Sequence, residues 1–162
     1  MQGRLDVETA SPAAYAAMLA LTGFAVGSGL EASLLELVMT RASQLNRSAY
    51  CVKTHTADAR AAGESEERLY LLAAWREAPI YSARERAALA WTEALTELRQ
   101  GHIPDPLYDE ARREFSEAEL VNLTVAVGMI NAWNRLAIAF RAMPETEGAC
   151  REAEPPALRA RG

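Results

Sequence analysis

The chain has 162 residues and a net charge of −5, with half its residues hydrophobic and 24% charged. That length fits one domain able to bury a real core, and arginines scattered among glutamates offer no basic stripe for nucleic acid. No run approaches the roughly eighteen uninterrupted apolar residues of a membrane span, and MQGRLDVETASPAAY lacks the basic-then-apolar layout of a signal peptide.

These features predict a cytoplasmic protein with neither nucleic acid nor membrane as partner. In that compartment thiols stay reduced, and a disulfide is more often catalytic than structural. The two cysteines, Cys51 and Cys150, lie too far apart in sequence and setting to suggest a disulfide framework.

Alanine, leucine, glutamate and arginine are abundant and β-branched runs are few, the composition of a helical protein. Ser11-Pro12 predicts an N-cap and first helical residue, opening a helix to about Leu21 that Gly23, Gly27 and Gly29 break. From Glu31, apolar Leu34, Leu37 or Val38, Ala42 and Leu45 keep helical spacing until Asn46-Arg47. Ser48 can cap the next helix, which runs to about Ala62 and stops at Gly63.

A short helix is expected from Ser65 to Trp75. Ser82 with Glu85 forms a capping box and opens a helix through Ala88, Trp91, Leu95 and Leu98 that closes at Gly101. Pro104 and Pro106 bracket a turn before a short helix over Leu107 to Arg113. Ser116 with Glu119 is a second capping box, starting the longest helix, to about Met143.

That last helix carries two apolar stripes: Leu120, Leu123, Val127 and Ile130, then Val125, Met129, Trp133, Leu136 and Phe140. A helix with two apolar faces is either central in a core or packed on a second subunit. From Thr146 onward the period is lost, which predicts a domain over residues 1–145 and a flexible tail over 146–162. The fold class is all-α, a bundle of six or seven helices with no strand pattern.

The chemistry concentrates between Glu36 and His55. Glu36 is followed after eleven residues by Ser48, then by Cys51 and His55. With Ser48 as N-cap, Cys51 is the third helical residue, where unpaired N–H groups and the helix dipole favour thiolate over thiol. His55 follows four residues later on the same helix face and can accept the thiol proton. Glu36, one helix earlier, can orient that histidine or pass protons. Against this stands the plain alternative that a lone helical cysteine is a small buried hydrophobe, and Glu36 by default a solvated charge. One Cys and one His fall short of a metal ligand set, so no metal is expected.

The run LLELVMTRASQLNRSAYCVKTHTADARAAGE, Leu34 to Glu64, resembles the core motif of the AhpD-like alkylhydroperoxidases of the carboxymuconolactone decarboxylase superfamily. INAWNRLAIAF, Ile130 to Phe140, resembles the terminal helix of that family, so the similarity spans about residues 10 to 143. The family motif has a Glu, two cysteines as Cys-x-x-Cys, and a His. The resemblance implies a thiol-dependent peroxidase in which Cys51 attacks a hydroperoxide and His55 and Glu36 relay protons. It implies no bound cofactor, an external thiol or lipoyl-bearing reductant protein as partner, and a homo-oligomer. Where a related pattern has another histidine, this chain has Tyr50, whose phenol can lend a hydrogen bond.

Ser48 holds the place of the family's resolving cysteine. Serine is nearly isosteric with cysteine but forms no disulfide, so impaired turnover is expected, and a Cys51 sulfenic acid must wait for an external thiol or oxidise further. Three readings of Ser48 stand open: a natural one-cysteine or retired enzyme, an engineered replacement of an original cysteine, or resolution by Cys150 from the tail. Two other functions stand beside peroxidase. One is a lactone decarboxylase recruiting His55, Arg41 and Arg135; the other is a non-enzymatic oligomeric scaffold using Trp133 and Phe140.

Overall fold

The computed structural model describes residues 2–98 and 101–143. Among these the chain is wholly helical, with eight α-helices: α1 (Val7–Ala10), α2 (Pro12–Val26), α3 (Ala32–Asn46), α4 (Ala49–Ala61), α5 (Glu66–Leu71), α6 (Ala83–Thr96), α7 (Asp105–Glu114) and α8 (Glu117–Phe140). A single 3-10 turn, Leu72–Ala74, extends α5. The all-α class holds; the helix beyond the expected number is the one-turn α1, capped by Asp6 through the Thr9 N–H. The expected tail, and Cys150 within it, lie outside the described residues.

α3 is the organising element because its sequence is apolar on a wide face. Leu34, Leu35, Leu37, Val38, Met39 and Ala42 are all buried, and the helix packs on α4, α6 and α8. One core joins Leu34, Leu35, Val38, Met39 and Cys51 to Trp91, Phe115, Leu123, Val127 and Ile130. A smaller one joins Leu37 and Leu89 to Leu72, Trp75 and Tyr81 under the α5–α6 connection.

α8 is the one described helix long and apolar enough to cross a membrane by length and composition alone. Here it is a core helix. Leu120, Leu123, Val127 and Ile130 of its first stripe are buried, and of the second Met129 is buried while Val125, Trp133, Leu136 and Phe140 are half-buried.

Several boundaries differ from expectation. α2 runs through Gly23 and ends only at Gly27, because one mid-helix glycine costs about 1 kcal/mol and the apolar run continues. α6 stops at Thr96, leaving Leu98 exposed beyond it. Pro106 does not bracket a turn but sits in the first turn of α7, where the N–H it lacks would go unpaired in any case. α8 ends at Phe140, where Arg141 turns left-handed at φ 56° and Ala142 N–H donates to Ala137 O at 2.9 Å. Both capping boxes are present.

The α3–α4 hairpin positions the site. Arg47 adopts φ 58°, its N–H donates to Gln44 O at 3.1 Å and Ser48 N–H donates to Ser43 O at 3.0 Å. That pair of bonds is the Schellman ending of a helix. Ser48 then serves twice, since its carbonyl accepts from Val52 N–H at 2.9 Å and so begins α4.

Candidate active site

The two-residue turn places the start of α4 against the middle of α3, and the candidate residues converge across that seam. Cys51 is the third residue of α4 and is 5% exposed, within the main core. His55 lies one turn further along. Its Nδ1 is 3.0 Å from Glu36 Oε2, with the two side chains 16% and 19% exposed. A carboxylate only accepts, so Nδ1–H donates to Glu36, and in the neutral ring the lone pair is then on Nε2.

The α3 carboxylate thus fixes the tautomer and holds the ring, as an orienting group does in relay triads. Sequence spacing put Cys51 and His55 on one face; that Glu36 reaches His55 is a property of the hairpin.

Ser48 is the N-cap residue by position, but its side chain makes no cap hydrogen bond. This corrects the expectation that the hydroxyl caps α4. The physical reason is its double duty: with its N–H committed to Ser43 O, Ser48 is held at ψ 96°. Ser48 is 2% exposed, and its buried hydroxyl has no hydrogen-bond partner. Tyr50 is 42% exposed; its carbonyl accepts from Thr54 Oγ1, and its phenol joins no hydrogen bond of the site among the described residues.

Asp58 was not foreseen. One ligand atom each from Glu36, His55 and Asp58 lies within 4.8 Å of the other two. These are the residues that could hold a divalent cation, His55 and Asp58 from one face of α4 and Glu36 from α3. The His-x-x-Asp spacing was readable in the sequence, but the third ligand comes from the tertiary contact. A recess lined by Ser33, Ala59, Ala62, Gly63 and Glu64 lies two turns beyond Cys51 along α4, and Cys51 is not part of its wall.

The arginines considered for a decarboxylase are committed elsewhere. Arg41 Nε donates to Glu93 Oε1 at 2.8 Å and Nη1 to Gln44 at 3.2 Å. Arg135 Nη1 donates to Asn131 O at 2.7 Å, back along its own helix. Neither pairs with Glu36 or His55. Burial raises the Glu93 carboxyl, but hydrogen bonds from Trp75, Arg76 and Arg41 outweigh it and hold the group below its usual range. That cluster is a structural ion pair with a tryptophan donor. It offers no free cation for a substrate carboxylate.

Comparison with known proteins assigns the chain to a family. The model of the carboxymuconolactone decarboxylase family matches residues 12–94, that is, α2 to α6 with the whole α3–α4 hairpin. The uncharacterized protein YdfG of Bacillus subtilis is 36% identical over 140 residues, 86% of this chain and 95% of its own length. A crystal structure of a protein of unknown function from Agrobacterium tumefaciens, provisionally described as the antioxidant defence protein AhpD, superposes with a TM-score of 0.88. It is 40% identical, and the match covers 90% of this chain and all of that one.

An uncharacterized peroxidase-related protein from Ralstonia eutropha, described as an alkylhydroperoxidase AhpD core, shares the fold at TM-score 0.77. It is 19% identical, over 86% of this chain and 75% of its own. The expected extent of similarity, about residues 10 to 143, exceeds the family match and is nearer the span of the Agrobacterium structure. The chain is an AhpD-like member of the carboxymuconolactone decarboxylase family.

Proposed function

We propose that the protein is a thiol-dependent peroxidase in which Cys51 reduces hydroperoxides. The observation that carries this reading is the 3.0 Å contact from His55 Nδ1 to Glu36 Oε2, on the helix face that also bears Cys51. A half-buried histidine-carboxylate pair one turn from a cysteine has a ready use in moving the thiol proton. A merely structural cysteine needs neither.

In the proposed cycle the thiol proton passes to His55 Nε2. The thiolate electron pair forms a bond to the distal peroxide oxygen and the O–O bond breaks. The departing alkoxide takes the proton from His55 and leaves as the alcohol. Cys51 is oxidised by two electrons to a sulfenic acid. An external thiol attacks that sulfur, releasing water and leaving a mixed disulfide, and a second thiol equivalent restores Cys51. A lipoyl-type dithiol would supply both equivalents. With Ser48 in the resolving place, no internal disulfide shortens the cycle, and turnover depends on that external thiol.

A reducing cytoplasmic setting suits this chemistry. The apolar residues that α2 leaves exposed, Leu19, Phe24 and Val26, support assembly as a homo-oligomer.

The test is peroxide treatment in the presence of dimedone, read by mass spectrometry. Cys51 is expected to carry one dimedone adduct within seconds at micromolar cumene hydroperoxide, and His55→Gln to slow the labelling. A Cys51 that stays unmodified after prolonged treatment would falsify the reading.

A further inference from the structure

Five of the described helices have a serine at the N-cap, and three of those serines use the side chain alike. Ser65, Ser82 and Ser116 accept a hydrogen bond from the backbone N–H three residues on, each at 3.2 Å, with ψ of 149°, 165° and 168°. Ser11, which precedes Pro12, is exposed and makes no cap hydrogen bond. Ser48 differs from all four. It is buried, its ψ is 96°, and its hydroxyl neither caps α4 nor finds any other partner.

A buried hydroxyl without a partner costs the fold stability, because its lost hydration is not replaced. What makes the position informative is its neighbour. Across the first turn of a helix the N-cap and third helical residues face each other, and in both capping boxes each side chain reaches the other residue's backbone N–H. Ser48 and Cys51 hold those two positions, so one corner of the fold, the head of α4, carries both an unpartnered hydroxyl and a buried thiol. The hydroxyl does not hydrogen-bond the thiol. Its donor is left for a third group.

We propose that Ser48 is itself a catalytic residue, donating its Oγ–H to the oxygen that Cys51 takes up. This rests on the reading that Cys51 attacks a hydroperoxide. As the thiolate pair forms the S–O bond and the O–O bond breaks, the hydroxyl hydrogen-bonds the distal oxygen. It then holds that oxygen, which keeps its own hydrogen, as the sulfenic acid on Cys51, while His55 returns the thiol proton to the departing alkoxide. Ser48 keeps its proton and is neither oxidised nor reduced. The serine in the resolving position thereby turns a disulfide-forming centre into one that keeps its sulfenic acid ready for an external thiol.

Two variants of the full chain test this, Ser48→Ala and Ser48→Cys, with hydrogen peroxide and cumene hydroperoxide as probes. Ser48→Ala should keep or raise the thermal midpoint, because it removes an unpartnered hydroxyl. It should slow Cys51 oxidation and shorten the sulfenic acid lifetime against sulfinic acid, each roughly tenfold. Rates and lifetimes within twofold of the parent overturn the role of Ser48 while leaving the peroxidase reading intact. A thermal midpoint that falls in step with the rate overturns it too, as a structural role would.

Ser48→Cys, treated with diamide, should lose both thiols of the pair as one intramolecular disulfide, since bridging needs the two side chains to share that corner. Persistence of both free thiols overturns the placement without reference to peroxide. Parent protein whose Cys51 is inert to both peroxides overturns both readings together.

Discussion

Asn46, the last residue of α3, donates its side-chain amide to Asn134 of α8 at 2.8 Å, and Asn134 is wholly buried. The same Nδ2 serves Asn131 Oδ1 at 2.8 Å. Asn134 in turn donates to Ser43 Oγ at 3.0 Å, and Asn131 to Thr96 Oγ1 at 3.0 Å. This polar knot ties the ends of α3 and α6 to the middle of α8, immediately before the turn that sets Ser48 and Cys51.

Replacing Asn134 by alanine removes an acceptor for Asn46 and a donor to Ser43 and leaves a small void. Those losses sum to a destabilisation of about 2–4 kcal/mol. Urea denaturation should show a lower midpoint with an unchanged slope. A loss below about 0.5 kcal/mol would mean that water or relaxation replaces the network.

The Glu36–His55 contact makes a graded prediction for the chemical step. His55→Gln removes the proton acceptor and should slow peroxide oxidation of Cys51 by about 10²-fold, the lower end of general-base effects. Glu36→Gln leaves a neutral acceptor for Nδ1–H and removes only the charge, so roughly a tenfold loss is expected. Stopped-flow rates at one pH would order the three proteins. A Glu36→Gln variant slower than His55→Gln would assign Glu36 a role of its own.

Most of this architecture was legible because it rests on local signals. Ser82 with Glu85 and Ser116 with Glu119 announced two helices by cap chemistry alone, and the spacing of Leu34, Val38 and Ala42 announced the buried face of α3. The site was only half legible. Periodicity aligns Cys51 with His55, but the reach of Glu36 and the arrival of Asp58 depend on how two helices lie against each other. Ser48 was misread for a related reason. Its residue type and position say cap, whereas its N–H is already committed to the end of the preceding helix, a coupling invisible to a window that reads one helix at a time. Gly23 shows the opposite limit, since a breaker was outweighed by the apolar residues on either side.

Arg47 is a non-glycine residue in the left-handed region, φ 58°, at the position where Schellman endings prefer glycine. The β-carbon costs about 1 kcal/mol there, partly offset by the extra freedom glycine gives the unfolded chain. Arg47→Gly is therefore expected to be neutral or to stabilise by up to about 1 kcal/mol, with Cys51 reactivity unchanged. Equilibrium denaturation decides it. A clear loss of stability would mean that the arginine side chain makes an interaction worth more than the strain.

Arg84 binds together the starts of three helices, and this sets an acid limit on stability. Its guanidinium pairs with Glu31 Oε1 at 3.0 Å and Glu119 Oε1 at 2.6 Å, over the Phe115 ring at 4.1 Å. The backbone N–H and hydroxyl of Ser116, then Arg84, hold the Glu119 carboxyl down from its ordinary 4.5 to about 2. Glu31 is lowered as well, by its own backbone N–H and then by Arg84. A carboxyl depressed by folding stabilises fully above its unfolded value and loses that contribution as pH falls through its folded one. The urea midpoint should accordingly be level above about pH 5 and fall between pH 4.5 and about 2. Both carboxylates are partly exposed, so the fall should shrink in high salt. Glu119→Gln should flatten the profile in that window. A variant with the same acid slope as the parent would show that the capping carboxylate does not govern acid unfolding and that other carboxylates do.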